Sequence, residues 1–363
     1  MPLDPNRLQR IISATRRTPT PENSQPWRII VDDHQLLFFH DSARAKLATF
    51  PDDLSVMGVG MLQEAVRLAA SRERMAVHFQ TQLTARDDHT PWLVATLQAD
   101  ADTPPDPLAD ALELRHTDRR RYAGGSRHDP IFAQLTEMST TLAGTAIYCI
   151  DHYPADYRQL LQQADQSVMA WDEMRHDMGR WVRFTHRATQ RSRDGMPWQS
   201  LLRGEQRWWH YLQTRLWWLA TRIDWFPESL MALEQKLFDD SGQLTPSDFS
   251  DGAALGCVTV NSDTPEALVT AGRFVMQLWL LLNQQGYALQ PLTNLVSITY
   301  PRQLGTFDLP PEVRHLVSND YAILQQTYGF SDGELPIFTF RTGLAASPYP
   351  NHARTLRLEQ NPA

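Results

Sequence analysis

One stretch constrains this chain more than any other. Residues Thr18 to Trp27 read T-P-T-P-E-N-S-Q-P-W. Pro19, Pro21 and Pro26 fix φ and remove backbone donors, so the segment is stiff and cannot join a helix. Asn23, Ser24 and Gln25 carry hydrogen-bonding side chains on that frame. Trp27 then opens the apolar run Trp27-Arg28-Ile29-Ile30-Val31, which predicts a strand. From these residues alone, the segment is either an ordinary helix-to-strand connection or a rigid polar wall.

Composition narrows the field. The chain has 363 residues, enough for two domains or one large one with a sizeable core. Lys and Arg number 34 against 42 Asp and Glu, a net charge of −8, which argues against a nucleic-acid partner. Cys149 and Cys257 both sit in apolar runs and are expected to be buried, inert thiols of a reducing compartment. No apolar run approaches the roughly 18 residues of a membrane span. The opening Met-Pro-Leu-Asp-Pro lacks the basic and apolar regions of a signal peptide, so a cytoplasmic location is expected.

Periodicity predicts a helix over 5–15, a hairpin of strands 27–31 and 36–40 around Asp32-Asp33-His34, and a helix over 54–70. Strands are expected at 75–79 and 92–97. Gly58-x-Gly60 lacks the third glycine and preceding strand of a dinucleotide site, so helix packing is the better reading. Asp100 to Pro107, with three prolines and three aspartates, reads as a linker. It divides the chain into domains 1–105 and 110–363. Just beyond it, Arg115-His116-Thr117-Asp118-Arg119-Arg120-Arg121 concentrates positive charge. Such a cluster is either a solvated basic helix end or an anion site, since guanidinium forks and a hydroxyl suit a phosphate.

The second domain continues with a helix at 131–141 and a strand at 145–150. Residues 157–190 have helical character throughout. A tryptophan-rich insert occupies about 155–250. Within it, Trp208, Tyr211, Leu212, Arg215, Leu216 and Leu219 have helical spacing. Core packing is the ordinary reading; a cover over a ligand, a subunit interface and a membrane-surface contact are the alternatives. A buried strand over 255–260, a capped helix over 265–285 ending at Gly286, and a short strand into Pro291-Leu292-Thr293-Asn294 follow. A late strand is expected at 336–341, then a proline-broken tail with Arg354 and Arg357.

These motifs resemble the nitroreductase family of flavoproteins. Thr18-Pro19-Thr20, Asn23 and Gln25-Pro26-Trp27 match its ring-covering loop, with Thr20 where the family usually has Ser. Arg115-His116-Thr117 looks like its phosphate-gripping motif, and a motif that opens a domain here lies mid-chain. The segment through Pro291-Leu292-Thr293-Asn294 is similar to the loop that sets a backbone N–H against the flavin N5. The resemblance thus implies an α+β, nitroreductase-like fold in two diverged halves with antiparallel or mixed sheets. It implies an intramolecular pseudo-dimer like the tandem Acg-like branch, with one FMN per chain.

On that resemblance, Arg115, His116, Thr117, Arg119 and Arg354 would hold the FMN phosphate, with Arg357 and Arg341 as weaker choices for the tail position. Pro19, Thr20, Asn23, Pro291 and Leu292 would wall the cofactor, and Thr293 and Asn294 would serve N5. The activity implied is NAD(P)H-dependent reduction of nitro, quinone or related acceptors. Its partners are a nicotinamide donor and a small-molecule acceptor, with no nucleic acid, no membrane and a monomeric or weakly oligomeric chain. One alternative is an FMN-binding or sequestering protein with little turnover; another is a partner surface formed by the tryptophan-rich region over a vestigial site. No hydrolase elbow, P-loop or zinc-protease motif is present.

Overall fold

The computed structural model describes residues 4–45, 52–83, 89–201, 208–220, 251–305, 309, 314, 317, 319–347 and 358–359. The chain opens with α1 (Pro5–Thr15), capped by the Asp4 carboxylate, which accepts from the Asn6 N–H at 2.9 Å. The hairpin follows the stiff loop: β1 (Trp27–Asp32) pairs antiparallel with β2 (Gln35–His40). Its turn is Asp33-His34, and Asp33 takes the left-handed φ of 49° that such a turn demands. Then come α2 (Asp52–Arg72), β3 (Met75–Thr81) and β4 (Pro91–Ala99).

Past the linker lie α3 (Pro130–Thr140), β5 (Thr145–Ile150), α4 (Ala155–Ala170), α5 (Asp172–Trp181), β6 (Val182–Arg183), α6 (His186–Ser192), β7 (Met196–Pro197) and α7 (Trp208–Ala220). The chain closes with β8 (Ala254–Val260), α8 (Pro265–Gln284), β9 (Tyr287–Pro291), α9 (Thr293–Gln303), α10 (Asp320–Tyr328), β10 (Leu335–Leu344) and β11 (Leu358–Glu359). The class is α+β, as expected. One five-stranded sheet has the order β11-β1-β2-β4-β3, and a four-stranded antiparallel sheet has the order β5-β8-β10-β9. Every residue of β8 is buried, because it lies between two strands with helices against it. The last strand returns to the first sheet: Leu358 and Glu359 pair in parallel with Ile29 and Ile30.

The two sheets share one core through α2 and α8. Ile29, Phe38 and Leu93 of the first sheet and Val258, Phe338 and Phe340 of the second belong to a single buried cluster with Leu62, Phe274 and Trp279. The helices touch backbone to backbone. A Cβ on Gly60 would lie 2.0 Å from the Val269 carbonyl oxygen, and one on Gly272 would lie 2.0 Å from that of Met57. Each glycine thus meets the residue three positions before the other. The contact is reciprocal, as at a two-fold interface between copies. Gly60 is therefore a packing residue, as its sequence context suggests.

The same helix pair carries a buried ion cluster. Glu64 is fully buried and accepts from Arg67 at 2.5 Å, Arg273 at 3.1 Å and Gln277 at 2.8 Å. Arg67 also binds Asp106 at 2.8 Å, which ties the linker to α2. Glu64→Ala is expected to cost about 1–3 kcal/mol in urea unfolding. That is less than the ~3–5 kcal/mol of a wholly buried pair, because both arginines keep about a third of their surface in water. An unchanged unfolding midpoint would refute it.

The insert departs from the sequence reading. The helical run expected over 157–190 breaks at Trp171, whose ψ of 108° is extended. It breaks again at Val182-Arg183, which pairs in parallel with Met196-Pro197. In α7 the stripe Trp208, Leu212, Leu216 and Leu219 is exposed, Trp208 by 72%. His210 and Thr214 are buried instead, while Trp198, Tyr211, Phe184 and Trp218 make edge-to-face contacts. Both faces of this helix are apolar, so spacing alone did not identify the inner one. Burial pushes the Cys149 thiol up to about 12 and Cys257 well above its ordinary value, which makes both poor nucleophiles.

Candidate functional site

A cavity of about 330 Å³ is lined by residues of both sheets. It gathers three stretches that lie far apart in sequence: Pro19, Thr20 and Asn23; Arg115, His116, Thr117 and Arg119; and Pro291, Leu292, Thr293 and Asn294. Arg354 and Arg357 lie outside the described residues.

The first wall is the stiff loop. Glu22, Asn23 and Gln25 take φ values of 47°, 56° and 51°, three left-handed non-glycine residues within four positions. Each such residue costs roughly 1–3 kcal/mol and persists only where the surroundings hold it. Part of the hold is internal. The Thr20 hydroxyl accepts from the Gln25 N–H at 3.1 Å, a task that the usual Ser would perform equally well. The rest comes from the insert, whose Gly195, Met196, Pro197, Ser200 and Leu201 also line the cavity. Asn23 Nδ2 donates to the Gly195 carbonyl at 3.1 Å, and the Gly195 N–H donates back to the Asn23 carbonyl at 3.2 Å. Gln25 Nε2 donates to the Arg193 carbonyl at 3.1 Å.

The basic stretch is held from beneath by the second sheet. Arg341, weighed from sequence as a phosphate ligand, has no surface exposure and serves the fold instead. It donates to the Arg119 and Arg120 carbonyls at 2.9 and 2.7 Å and to Gln290 Oε1 at 2.7 Å, and lies 4.1 Å over the Tyr122 ring. Strand β10 places it behind the loop rather than in the cavity. Arg115 is fully buried in the wall, with its guanidinium 4.9 Å over the Trp279 ring. Trp279 Nε1 donates to the His116 carbonyl at 2.8 Å, so α8 fixes both residues. Burial lowers the His116 pKa, against the raising pull of its bond to the Leu114 carbonyl. Arg119 reaches the Ser200 carbonyl of the insert at 3.3 Å.

The third wall corrects the sequence reading of Thr293 and Asn294 as loop residues. They begin α9, with Leu292 as N-cap and no side chain capping it. The first N–H groups of a helix have no partner within it and carry its positive dipole end. The Leu292 turn is fixed on β10: its N–H donates to the Thr339 carbonyl at 2.7 Å and its carbonyl accepts from the Thr339 hydroxyl at 2.6 Å. The Asn294 side chain is engaged with Asp165 of the insert at 2.8 Å. The chemistry available at this wall is therefore backbone donation, not side-chain catalysis.

Other lining residues were not assigned from sequence. Arg17, 9% exposed, lines the cavity and spans to Glu113 at 3.3 Å. In sequence it was only a basic residue before the loop. His40 and Trp92 stack at 4.1 Å and also line it, as does Asp165. Alternation in β2 could have flagged His40 as inward-facing, but Trp92 sits at a register shift between β2 and β4, and nothing local marks Asp165 or Gly195. The cavity as a whole is an apolar slot of Trp27, Phe38, Trp92 and Leu292 with guanidinium charge around it. A planar, apolar ligand with an anionic substituent fits this donor set. Among the described residues, no cluster of His, Cys, Asp or Glu could hold a metal ion, and no helix is long and apolar enough to cross a membrane.

No family model matches the sequence, and no curated protein does. The structure is similar to solved nitroreductases. One, from Desulfitobacterium hafniense with bound FMN, is 10% identical, with 69% of this chain and 95% of that chain covered at a TM-score of 0.37. A protein assigned as a nitroreductase from Anabaena variabilis is 9% identical, with 86% of this chain and 69% of that chain covered at a TM-score of 0.39. The FMN-dependent nitroreductase of Mycobacterium smegmatis in complex with NADPH is 11% identical, with 66% and 88% covered at 0.30. Identities and TM-scores this low leave the activity to be argued from the cavity itself.

Proposed function

We propose that this chain is an FMN-dependent oxidoreductase of nitroreductase type that takes hydride from NADH or NADPH and reduces a nitro, quinone or related acceptor. One observation carries the reading: eleven residues chosen on sequence grounds, in three distant stretches, line a single cavity. FMN, when bound, supplies the hydride chemistry, and the protein supplies binding and electrostatics.

Arg115, Arg119 and Arg17 neutralise the phosphate, and Thr117 gives it a hydroxyl. His116 lines the cavity beside them, with its Nδ1–H donated to the Leu114 carbonyl at 2.7 Å. Pro19, Thr20 and Asn23 wall the ring from the first half, with Pro291 and Leu292 from the second. The N–H groups of Thr293 and Asn294, at the positive end of α9, favour the electron-rich reduced ring. Each chain then holds one FMN between halves 1–105 and 110–363, an intramolecular pseudo-dimer supported by the reciprocal Gly60–Gly272 contact. Such a chain needs no second subunit for its site, which suits a cytoplasmic monomer or weak homo-oligomer.

A second reading, an FMN-binding protein with little turnover, draws on one feature. The insert contributes Gly195, Met196, Pro197, Ser200 and Leu201 to the cavity wall, where an acceptor would have to enter. One titration separates the two. The purified protein, mixed with FMN and desalted, is expected to keep flavin absorbance and to bleach with NAD(P)H without oxygen. Retention without bleaching selects the second reading; loss of flavin on desalting rejects both.

A further inference from the structure

We infer that Asp194 of the insert, gripped by Arg44 and Arg183, is the latch that holds the covering loop shut, and so sets how fast a bound flavin leaves; this rests on the FMN reading above. The Asp194 side chain keeps only 10% of its surface exposed, yet both oxygens are used. Arg44 Nη2 donates to Oδ2 at 2.5 Å and Arg183 Nη2 to Oδ1 at 2.7 Å. Burial pushes this carboxyl up, but the two guanidiniums outweigh it and hold it below the ordinary aspartate range. The two arginines share one aromatic support, lying 5.0 and 5.9 Å from the Trp181 ring.

Arg44 is the link across the halves. Its Nε donates to the Ser24 carbonyl of the loop at 3.0 Å while Nη2 holds Asp194. The next residue, Gly195, takes φ 72°, and a Cβ there would lie 2.2 Å from the Trp181 carbonyl oxygen. Holding Asp194 therefore fixes the register of Gly195, whose amide and carbonyl exchange hydrogen bonds with Asn23. Gln25 is tied to Arg193 one step earlier. The external part of the hold on the loop's three left-handed residues thus runs through a single buried carboxylate about 170 positions away in sequence. Met196, Pro197, Ser200 and Leu201 follow directly and line the cavity, so loop and insert close as one wall. Asp194 is a positioning residue; it does not line the cavity itself.

The test uses the full chain and three variants: Asp194→Ala, Arg44→Ala and the double. Two readouts are taken. Flavin release after dilution, followed by fluorescence, is expected to speed up roughly tenfold or more in each single variant. The double is expected to speed release by less than the product of the two single effects, because both singles remove the Arg44–Asp194 pair. Amide exchange in the unliganded chain is expected to rise across 20–26 and 193–197 and to stay unchanged in β8 and α8. Release within about twofold of the parent in folded variants would overturn the latch. If Asp194→Ala does not fold, Arg44→Ala decides alone. If the parent itself retains no flavin, the FMN reading falls, and exchange decides the latch. Faster exchange confined to those two segments supports it, and unchanged exchange overturns it.

Discussion

Gly272→Ala is expected to destabilise the chain by about 3 kcal/mol, at the upper end of the usual cost of overpacking a core. The added methyl would sit 2.0 Å from the Met57 carbonyl oxygen and 3.1 Å from the Gly60 Cα, both of them backbone. No rotamer change relieves such a contact, so α2 and α8 must part. Parting them disturbs Leu62, Phe274 and Trp279, which join the two sheets into one core, and weakens the Glu64 cluster beside them. Gly60→Ala is expected to do the same by symmetry, against the Val269 carbonyl. The double variant should cost less than the sum, since the first methyl already opens the crossing. Gly58→Ala is the control. A Cβ there meets nothing within 4 Å, and exchanging glycine for alanine inside a helix gains up to ~1 kcal/mol. Urea unfolding of the parent and the four variants reads all of this. A Gly272→Ala midpoint equal to the parent's would mean that the two helices do not cross at these glycines.

What the sequence made legible was local. Prolines stiffen residues 18–27 wherever they occur, and charge clustered at 115–121 is visible without a fold. Residues 264–286 carry cap, apolar period and glycine stop in one run, and the helix Pro265–Gln284 lies within it. What was hidden depends on distant partners. Asp194 is an ordinary turn residue until Arg44, 150 positions earlier, meets it. The resemblance makes Thr293 a loop residue, yet Thr339 fixes the turn from another strand and a helix starts. Arg341 and Arg115 are both fully buried arginines, and only the fold tells them apart. The first has its partners in carbonyls and Gln290 behind the loop, while the second lies in the cavity wall. The α7 stripe failed in the opposite way: helical spacing was right and its facing was wrong.

Arg115→Ala is the substitution expected to hurt flavin binding most. Its guanidinium is fully buried, stacked on Trp279 and part of the cavity lining, where low dielectric strengthens its pull on an anion. Truncating one member of a buried, hydrogen-bonded charge pair costs about 2–5 kcal/mol. For FMN that corresponds to a Kd raised roughly thirtyfold to several thousandfold. A hole beside Trp279 could weaken binding of any ligand, so the informative quantity is a ratio. Riboflavin carries the same ring without the phosphate. If Arg115 acts on the phosphate, the variant loses FMN affinity far more than riboflavin affinity, and the preference of the parent for FMN collapses. Thr117→Ala should move the ratio the same way by roughly 1 kcal/mol, the worth of one hydrogen bond. Asn23→Ala, on the ring side, should weaken both ligands alike. Equal losses of FMN and riboflavin in Arg115→Ala would make this arginine a support for Trp279 alone and move the phosphate to Arg17 and Arg119.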